Sequence, residues 1–156
     1  MSMKQTVQKQ RQARIDRAAD ARARALETPS EGWIALVRSA LGLSAAQLAR
    51  TMGQTRANIS KTERAELSEG ASIRTLKAAA EAMGCKFVYG IVPREGGIAD
   101  LIEAQARKKA AAVVENASTH MALEKQALTK KQQNKEIERI TQELMRDMPS
   151  DLWVSE

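Results

Sequence analysis

Histidine and cysteine are nearly absent: the 156 residues hold one of each, His120 and Cys85. A single cysteine excludes an internal disulfide and suits a reducing compartment. One histidine cannot assemble a His/Cys zinc cluster within one chain. Neither residue has a partner at a spacing that nucleophilic or acid–base chemistry uses, and no phosphate-cradling glycine loop is present. No enzyme, cofactor or metal is therefore expected, and His120 is expected at a surface or helix interface. Aromatic residues make up only 3% and proline occurs three times, while alanine, arginine, glutamine and leucine abound, which favours helices over sheets. No apolar run approaches the ~20 residues of a membrane span, and the basic N-terminus lacks a signal peptide's apolar core. A cytoplasmic protein without a membrane partner is expected.

Carboxylates are missing from one stretch in particular. From Gly32 to Thr62 there is no Asp or Glu, although Arg38, Arg50, Arg56 and Lys61 fall within it. The whole chain carries a net charge of +6, which points towards an anionic partner. A phosphate-lined partner is repelled by carboxylates, so their local absence indicates nucleic acid more sharply than the total charge does.

The same stretch contains the most organised local pattern in the chain, Leu43 to Glu63. Ser44 and Thr55 are expected N-caps of two short helices joined by a tight turn at Gly53. Ala49 lets the helix axes approach, Gly53 can adopt positive φ, and Ile59 anchors the second helix from beneath. Arg56, Ala57, Asn58, Ser60 and Lys61 are left outside. An exposed, uncharged-to-basic N-terminal helix face is what major-groove reading requires. The expectation is a DNA-binding helix-turn-helix.

Around it the chain divides by pattern. Residues 1–31 carry a local charge of +3 and predict a basic helix from Gln5 to Leu26 with a thin apolar face. Such a helix is either simply solvated or an arm that touches phosphate or a dimer mate. After the break at Thr28–Gly32, Trp33, Leu36, Val37, Ala40 and Leu41 predict a supporting helix with Trp33 in the core. Ser72 caps a further helix that turns Ile73, Leu76, Ala79, Ala80 and Met83 inward, closing a domain over 32–84. Residues 86–93 are β-branched and aromatic and predict one strand. With no second strand in the chain, its expected partner is the same strand of a second copy, through Phe87, Val88, Tyr89, Ile91 and Val92, giving a homodimer. The strand segment is 85–93. Beyond it, 94–156 is a charge-balanced helical extension: a long helix from Ile98, interrupted near Ser118-Thr119, then one capped by Thr129 and Gln132. Leu152-Trp153-Val154 is expected to dock on a surface.

With these residues in place, segment 33–84 resembles the Xre/Cro-type helix-turn-helix domain of phage repressors and antitoxins. The resemblance implies a mainly α, lambda-repressor-like domain with base-reading residues at the start of the second helix. Carried over, these are Thr55, Arg56, Ala57, Asn58 and Lys61, with Ser44, Ala45 and Gln47 near the DNA backbone; Gln54 and Ser60 complete the candidate contact set. Thr62 stands where an apolar residue is usual, and the glycine common after Glu63 is missing. Nearly the whole chain is similar to a narrower family known as mobile mystery protein A. The similarity rests on the arginine-rich N-terminal helix, Gly32-Trp33-Ile34, Leu41-Gly42-Leu43, Gly84-Cys85-Lys86-Phe87-Val88-Tyr89, Val92-Pro93, Met121-Ala122-Leu123-Glu124-Lys125-Gln126 and Leu152-Trp153. Members are encoded beside a Fic-domain protein, which implies a toxin–antitoxin-like pair. The inhibitory Ser/Thr-x-x-x-Glu-Gly/Asn helix of some Fic antitoxins has no match, because Glu27, Ala65, Ile91 and Ala111 occupy the Ser/Thr position. The expected function is a dimeric, sequence-specific transcriptional autorepressor acting on double-stranded DNA. The alternative is an antitoxin that neutralises a Fic-type partner through its C-terminal helices and binds DNA for autoregulation.

Overall fold

The computed structural model describes residues 2–22, 28–125 and 127–154. They form seven helices: α1 (Met3–Arg22), α2 (Trp33–Ala40), α3 (Ala45–Thr51), α4 (Arg56–Leu67), α5 (Ile73–Ala82), α6 (Ile98–Leu123) and α7 (Lys130–Asp147). The expected continuation of α1 to Leu26 falls outside the described residues. The chain divides into two compact units, Arg22–Gly90 and the pair Met1–Ala21 with Ile91–Glu156.

Arg22–Gly90 holds α2 to α5 around Ile34, Leu48, Ala49, Ile59 and Ala79, each at most 5% exposed, with Ala45, Met52, Leu76, Ala82 and Met83 packed against them. Serine or threonine caps begin α3, α4 and α5 as expected: Ser44, Thr55 and Ser72 each accept a backbone N–H from the third residue of their helix. Several expectations about this core fail. Trp33 is 40% exposed, and Ile34 occupies the core in its place. Leu36, Ala40 and Leu41 are exposed too. The reason lies in the segment itself: seven of the nine residues from Trp33 to Leu41 are large apolar ones or alanine, so periodicity does not decide which side turns inward. Ile73, expected inward on α5, is also largely exposed.

No strand forms among the described residues, so the strand expected over 86–93 is not present in the single chain. A strand's N–H and C=O groups require a ladder, and the described residues form no second strand to pair with it.

The other unit is built on the α6–α7 hairpin. Ile102, Ala106, Ala110 and Val114 recur every fourth residue along α6 and are all buried. The alanines leave room for α7, whose Thr141 is fully buried with its hydroxyl donating to the Ile137 carbonyl at 2.7 Å. That bond satisfies the one buried polar side chain of this core. The interruption expected at Ser118-Thr119 does not occur. Thr119 donates back to the Glu115 carbonyl at 3.0 Å and Ser118 accepts from Gln133 at 2.8 Å, so both hydroxyls are engaged while the helix runs on. The Thr129–Gln132 capping box of α7 forms as expected.

The C-terminal turn docks through one residue. Leu152 is 1% exposed and joins Ile102 and Ala106, whereas Trp153 and Val154 stay exposed, so the expected docking of all three holds for Leu152 alone. Gln105 donates to the Leu152 carbonyl at 2.8 Å, and Lys109 reaches both the Asp151 carbonyl and its carboxylate, at 2.6 and 2.7 Å. The hydrogen bond from Lys109 holds the Asp151 carboxyl below the usual carboxylate range. A depressed folded-state pKa stabilises docking above the unfolded value, and that contribution is lost as pH falls through the folded value. An NMR titration is expected to place the Asp151 midpoint below that of an unstructured aspartate, with Trp153 signals changing alongside it. A Lys109→Ala variant should raise the midpoint towards the ordinary range, the backbone hydrogen bond at Asp151 holding back part of the change.

Candidate nucleic-acid interface

The α3–α4 corner is assembled from signals that lie close together in the chain. Ser44 Oγ accepts the Gln47 N–H at 3.1 Å, and Gln47 Oε1 accepts the Ser44 N–H at 2.7 Å. This reciprocal box starts α3 and fixes the Gln47 side chain at the surface. α3 ends where Gly53 takes φ +63° and Gln54 N–H reaches the Ala49 carbonyl at 2.8 Å. Thr55 Oγ1 then accepts the Asn58 N–H at 3.2 Å and opens α4. A Cβ on Gly53 would meet nothing within 4 Å, so the glycine is required by backbone conformation and not by space. Gly53→Ala is therefore expected to lower the unfolding free energy by about 1–2 kcal/mol, the cost of a left-handed L-residue. A urea melt checks this, and an unchanged midpoint would show that the corner does not depend on positive φ.

Ile59 and Ala49 lie beneath the corner, at 1% and 2% exposure. Above it, Gln54, Thr55, Arg56, Ala57, Asn58 and Lys61 are exposed together, as are Ser44 and Gln47 at the start of α3. Two expected contact residues sit differently. Ser60 is half-buried, and Ala45 is half-buried with its side chain packed against the core. Arg56 occupies the first turn of α4, which holds no acidic residue. A cation there opposes the helix dipole by about 0.3–1 kcal/mol. A residue placed against local stability in this way is better explained by a ligand than by the fold.

The acid-free surface has a cause that the acid-free stretch alone does not reveal. The first carboxylates after it, Glu63 and Glu66 on α4, are both used internally. Glu63 accepts Arg38 Nε at 2.6 Å, a pair whose side chains are 18% and 17% exposed, and Arg38 Nη1 also donates to the Leu43 carbonyl at 3.0 Å. Arg38 is thereby withdrawn from the basic set expected to face phosphate; Arg50, Arg56 and Lys61 remain exposed. Glu66 accepts the Trp33 and Ile34 N–H groups at 2.7 and 3.0 Å. It caps α2 from α4, because Gly32 offers no side chain to do so. Gly32 also makes the space: a Cβ there would stand 3.1 Å from a Glu66 oxygen, at φ +85°. These two carboxylates hold α2 to α4 and at the same time keep negative charge off the outer face.

The residues expected to pair two chains are mostly solvent-facing. Val88, Tyr89, Ile91 and Val92 are exposed, Ile91 to 92%, while Phe87 is half-buried and stacks on Tyr89 with ring centroids 5.8 Å apart. Within the same unit, Phe87 and Val88 line one side of a groove of about 250 Å³ whose other walls include Trp33, Val37, Leu76 and Met83. His120 is exposed on α6. Among the described residues no three His, Cys, Asp or Glu side chains gather as a metal site requires. None of the described helices is long and apolar enough to cross a membrane.

Comparison of the chain with protein families, with curated proteins and with solved structures returned no match.

Proposed function

We propose that this chain is a sequence-specific DNA-binding regulator, acting as an autorepressor in dimeric form, with α3 and α4 as its helix-turn-helix and α4 entering the major groove. The observation that carries the reading is the exposed first turn of α4: Arg56, Ala57, Asn58 and Lys61 share a surface whose neighbouring carboxylates, Glu63 and Glu66, are bonded inward. Arg56 suits the two acceptors of guanine, Asn58 the donor–acceptor pair of adenine, and Lys61 guanine or phosphate. Thr55 and Gln54 flank them, and Gln47 keeps an amide N–H₂ free for the DNA backbone while its oxygen serves the cap. A single copy would offer one such helix to one half-site, so useful affinity calls for two. The exposed run Val88, Tyr89, Ile91 and Val92 supports pairing of two copies. Light scattering of the protein alone and with duplex DNA from upstream of its own coding sequence tests both parts. Twice the chain mass, and a complex of two chains per duplex, are expected; a monomer that leaves the duplex unbound would overturn the reading.

A second reading, an antitoxin that restrains a Fic-type enzyme by protein contact, is favoured by the apolar side chains left outside on the C-terminal unit. Leu101, Val113, Leu123 and Trp153 are between 42% and 79% exposed. It accords with the resemblance of nearly the whole chain to the mobile mystery protein A family. Under that reading DNA binding serves autoregulation, and substitution of these four residues removes the partner while sparing the α4 face.

A further inference from the structure

The charges of Met1–Ala21 with Ile91–Glu156 are distributed unevenly among its three helices. On α6 and α7 four of the eight lysines and arginines are ion-paired, Arg107 with Glu103 and Glu138, Lys109 with Asp151, Arg139 with Glu136 and Glu143, and Arg146 with Asp147, while Lys108, Lys130, Lys131 and Lys135 make no ion pair among the described residues. On α1 none is paired. Lys4, Lys9, Arg11, Arg14 and Arg17 are all exposed, and among the described residues no ion pair involves this helix.

The inward side of α1 explains the asymmetry. Gln5, Gln8, Gln12, Ile15, Asp16 and Ala19 form its half-buried stripe at helical spacing. Two of them make polar contacts: Gln5 donates to the Arg146 carbonyl at 3.3 Å, and Asp16 accepts the Ile98 N–H at 3.1 Å, capping α6. Asp16, one of two carboxylates on the helix, is therefore spent on α6 and does not offset the arginines. Gly97 makes room for it, since a Cβ there would lie 3.2 Å from an Asp16 oxygen. Arg14 and Arg17 lie on the far side from this stripe and Arg11 at its flank, all three exposed and recurring every third residue, with Asp20 the remaining acid. α1 lacks a concentrated apolar face. It lies over a cavity of about 690 Å³ lined by Lys4, Gln5 and Gln8 on one side and by Ile102, Met145 and Met148 on the other. A helix polar all round is not held in place for the sake of a core.

We infer that the outer face of α1 is a second DNA contact, in which Arg11, Arg14 and Arg17 bind the phosphate backbone of duplex DNA without regard to sequence. The inference rests on the duplex-DNA reading of α4 for the choice of polyanion. An anionic membrane surface is the poorer fit, because an interfacial helix inserts an apolar face that α1 does not have. Unpaired arginines spaced by one turn supply point charges to successive phosphates, and each contact releases counterion and steepens the salt dependence.

The test measures affinity of the full chain across about 50–200 mM salt for two duplexes of equal length, one from upstream of the coding sequence and one scrambled. A variant carrying Arg11→Ala, Arg14→Ala and Arg17→Ala is expected to lose affinity for both duplexes by the same factor. Its log–log salt slope should be shallower by roughly 2–3. The corresponding triple Arg→Lys variant, which keeps charge without the planar fork, should stay close to wild type in slope. Helix content by circular dichroism identifies any variant that has merely misfolded; for such a protein the Lys triple and a single Arg14→Ala, expected to change the slope by about 1, decide the matter. An unchanged slope in a folded alanine triple overturns the inference, as does loss confined to the upstream duplex, or a wild-type protein that fails to hold the scrambled duplex at low salt. If instead both duplexes are bound equally and the alanine triple weakens both, the α1 contact stands and the base-reading role of α4 falls.

Discussion

Replacing Arg56 with alanine is expected to remove most of the discrimination between operator and scrambled DNA while leaving the fold intact. Arg56 is fully on the surface side of α4 and makes no side-chain hydrogen bond or ion pair among the described residues. Its position in the first turn opposes the helix dipole, so its removal should leave the melting temperature equal or slightly higher. A bidentate base contact is worth roughly 1–3 kcal/mol of discrimination, about 5- to 150-fold in relative affinity. Arg56→Lys should fail nearly as badly, because an ammonium group does not reproduce the two-pronged geometry. Asn58→Ala is expected to relax specificity at a neighbouring base in the same way. A footprint unchanged by Arg56→Ala would remove this residue from the interface.

The largest loss of stability is expected from Ile59→Ala. Ile59 projects from α4 into the core formed with Ile34, Leu48, Ala49 and Ala79 and is 1% exposed. Truncation there costs about 2–5 kcal/mol, a large part of the 5–15 kcal/mol that typically holds a domain folded. It also removes the support on which the exposed turn of α4 is presented, so specific and non-specific binding by this unit should fall together. Ile59→Val, at about 0.5–1.5 kcal/mol, should lower the unfolding midpoint and keep DNA binding. Chemical denaturation followed by circular dichroism gives the midpoints. An Ile59→Ala protein as stable as wild type would mean that α4 is not seated on this core.

The placement of both residues is legible in the sequence, and for a common reason. Every signal that builds the corner, from the Ser44 box through Gly53 to the Thr55 cap, acts between residues only a few positions apart. Local hydrogen bonds and local backbone preferences are written in local sequence. The helical class was legible for the same reason, and so were the caps of α3, α4, α5 and α7. What escaped was carried by contacts across the fold. Glu66 caps α2 from 33 positions away, Glu63 takes Arg38 from 25, and Asp16 caps α6 from 82. Charge patterning counts such residues without recording whom they meet. Arg38 consequently looked available for phosphate, and α1 looked like an undifferentiated basic helix, when the position of one carboxylate divides it into an inner and an outer face. Trp33 escaped differently: α2 is apolar on too many sides for its period to choose one. At 86–93 the composition favours a strand, but a strand is a property of two segments, and the described residues of one chain form no second one.

The central claim is that α4 reads bases. It is tested most directly by competition: the labelled upstream duplex is bound by the full-length protein at fixed salt and then challenged with unlabelled upstream or scrambled DNA. The upstream duplex is expected to compete at roughly 10³-fold lower concentration than the scrambled one, the lower end of the usual specific-to-non-specific ratio, and Arg56→Ala should narrow that gap by about 5- to 150-fold. Equal competition by both duplexes with the wild-type protein would contradict the claim.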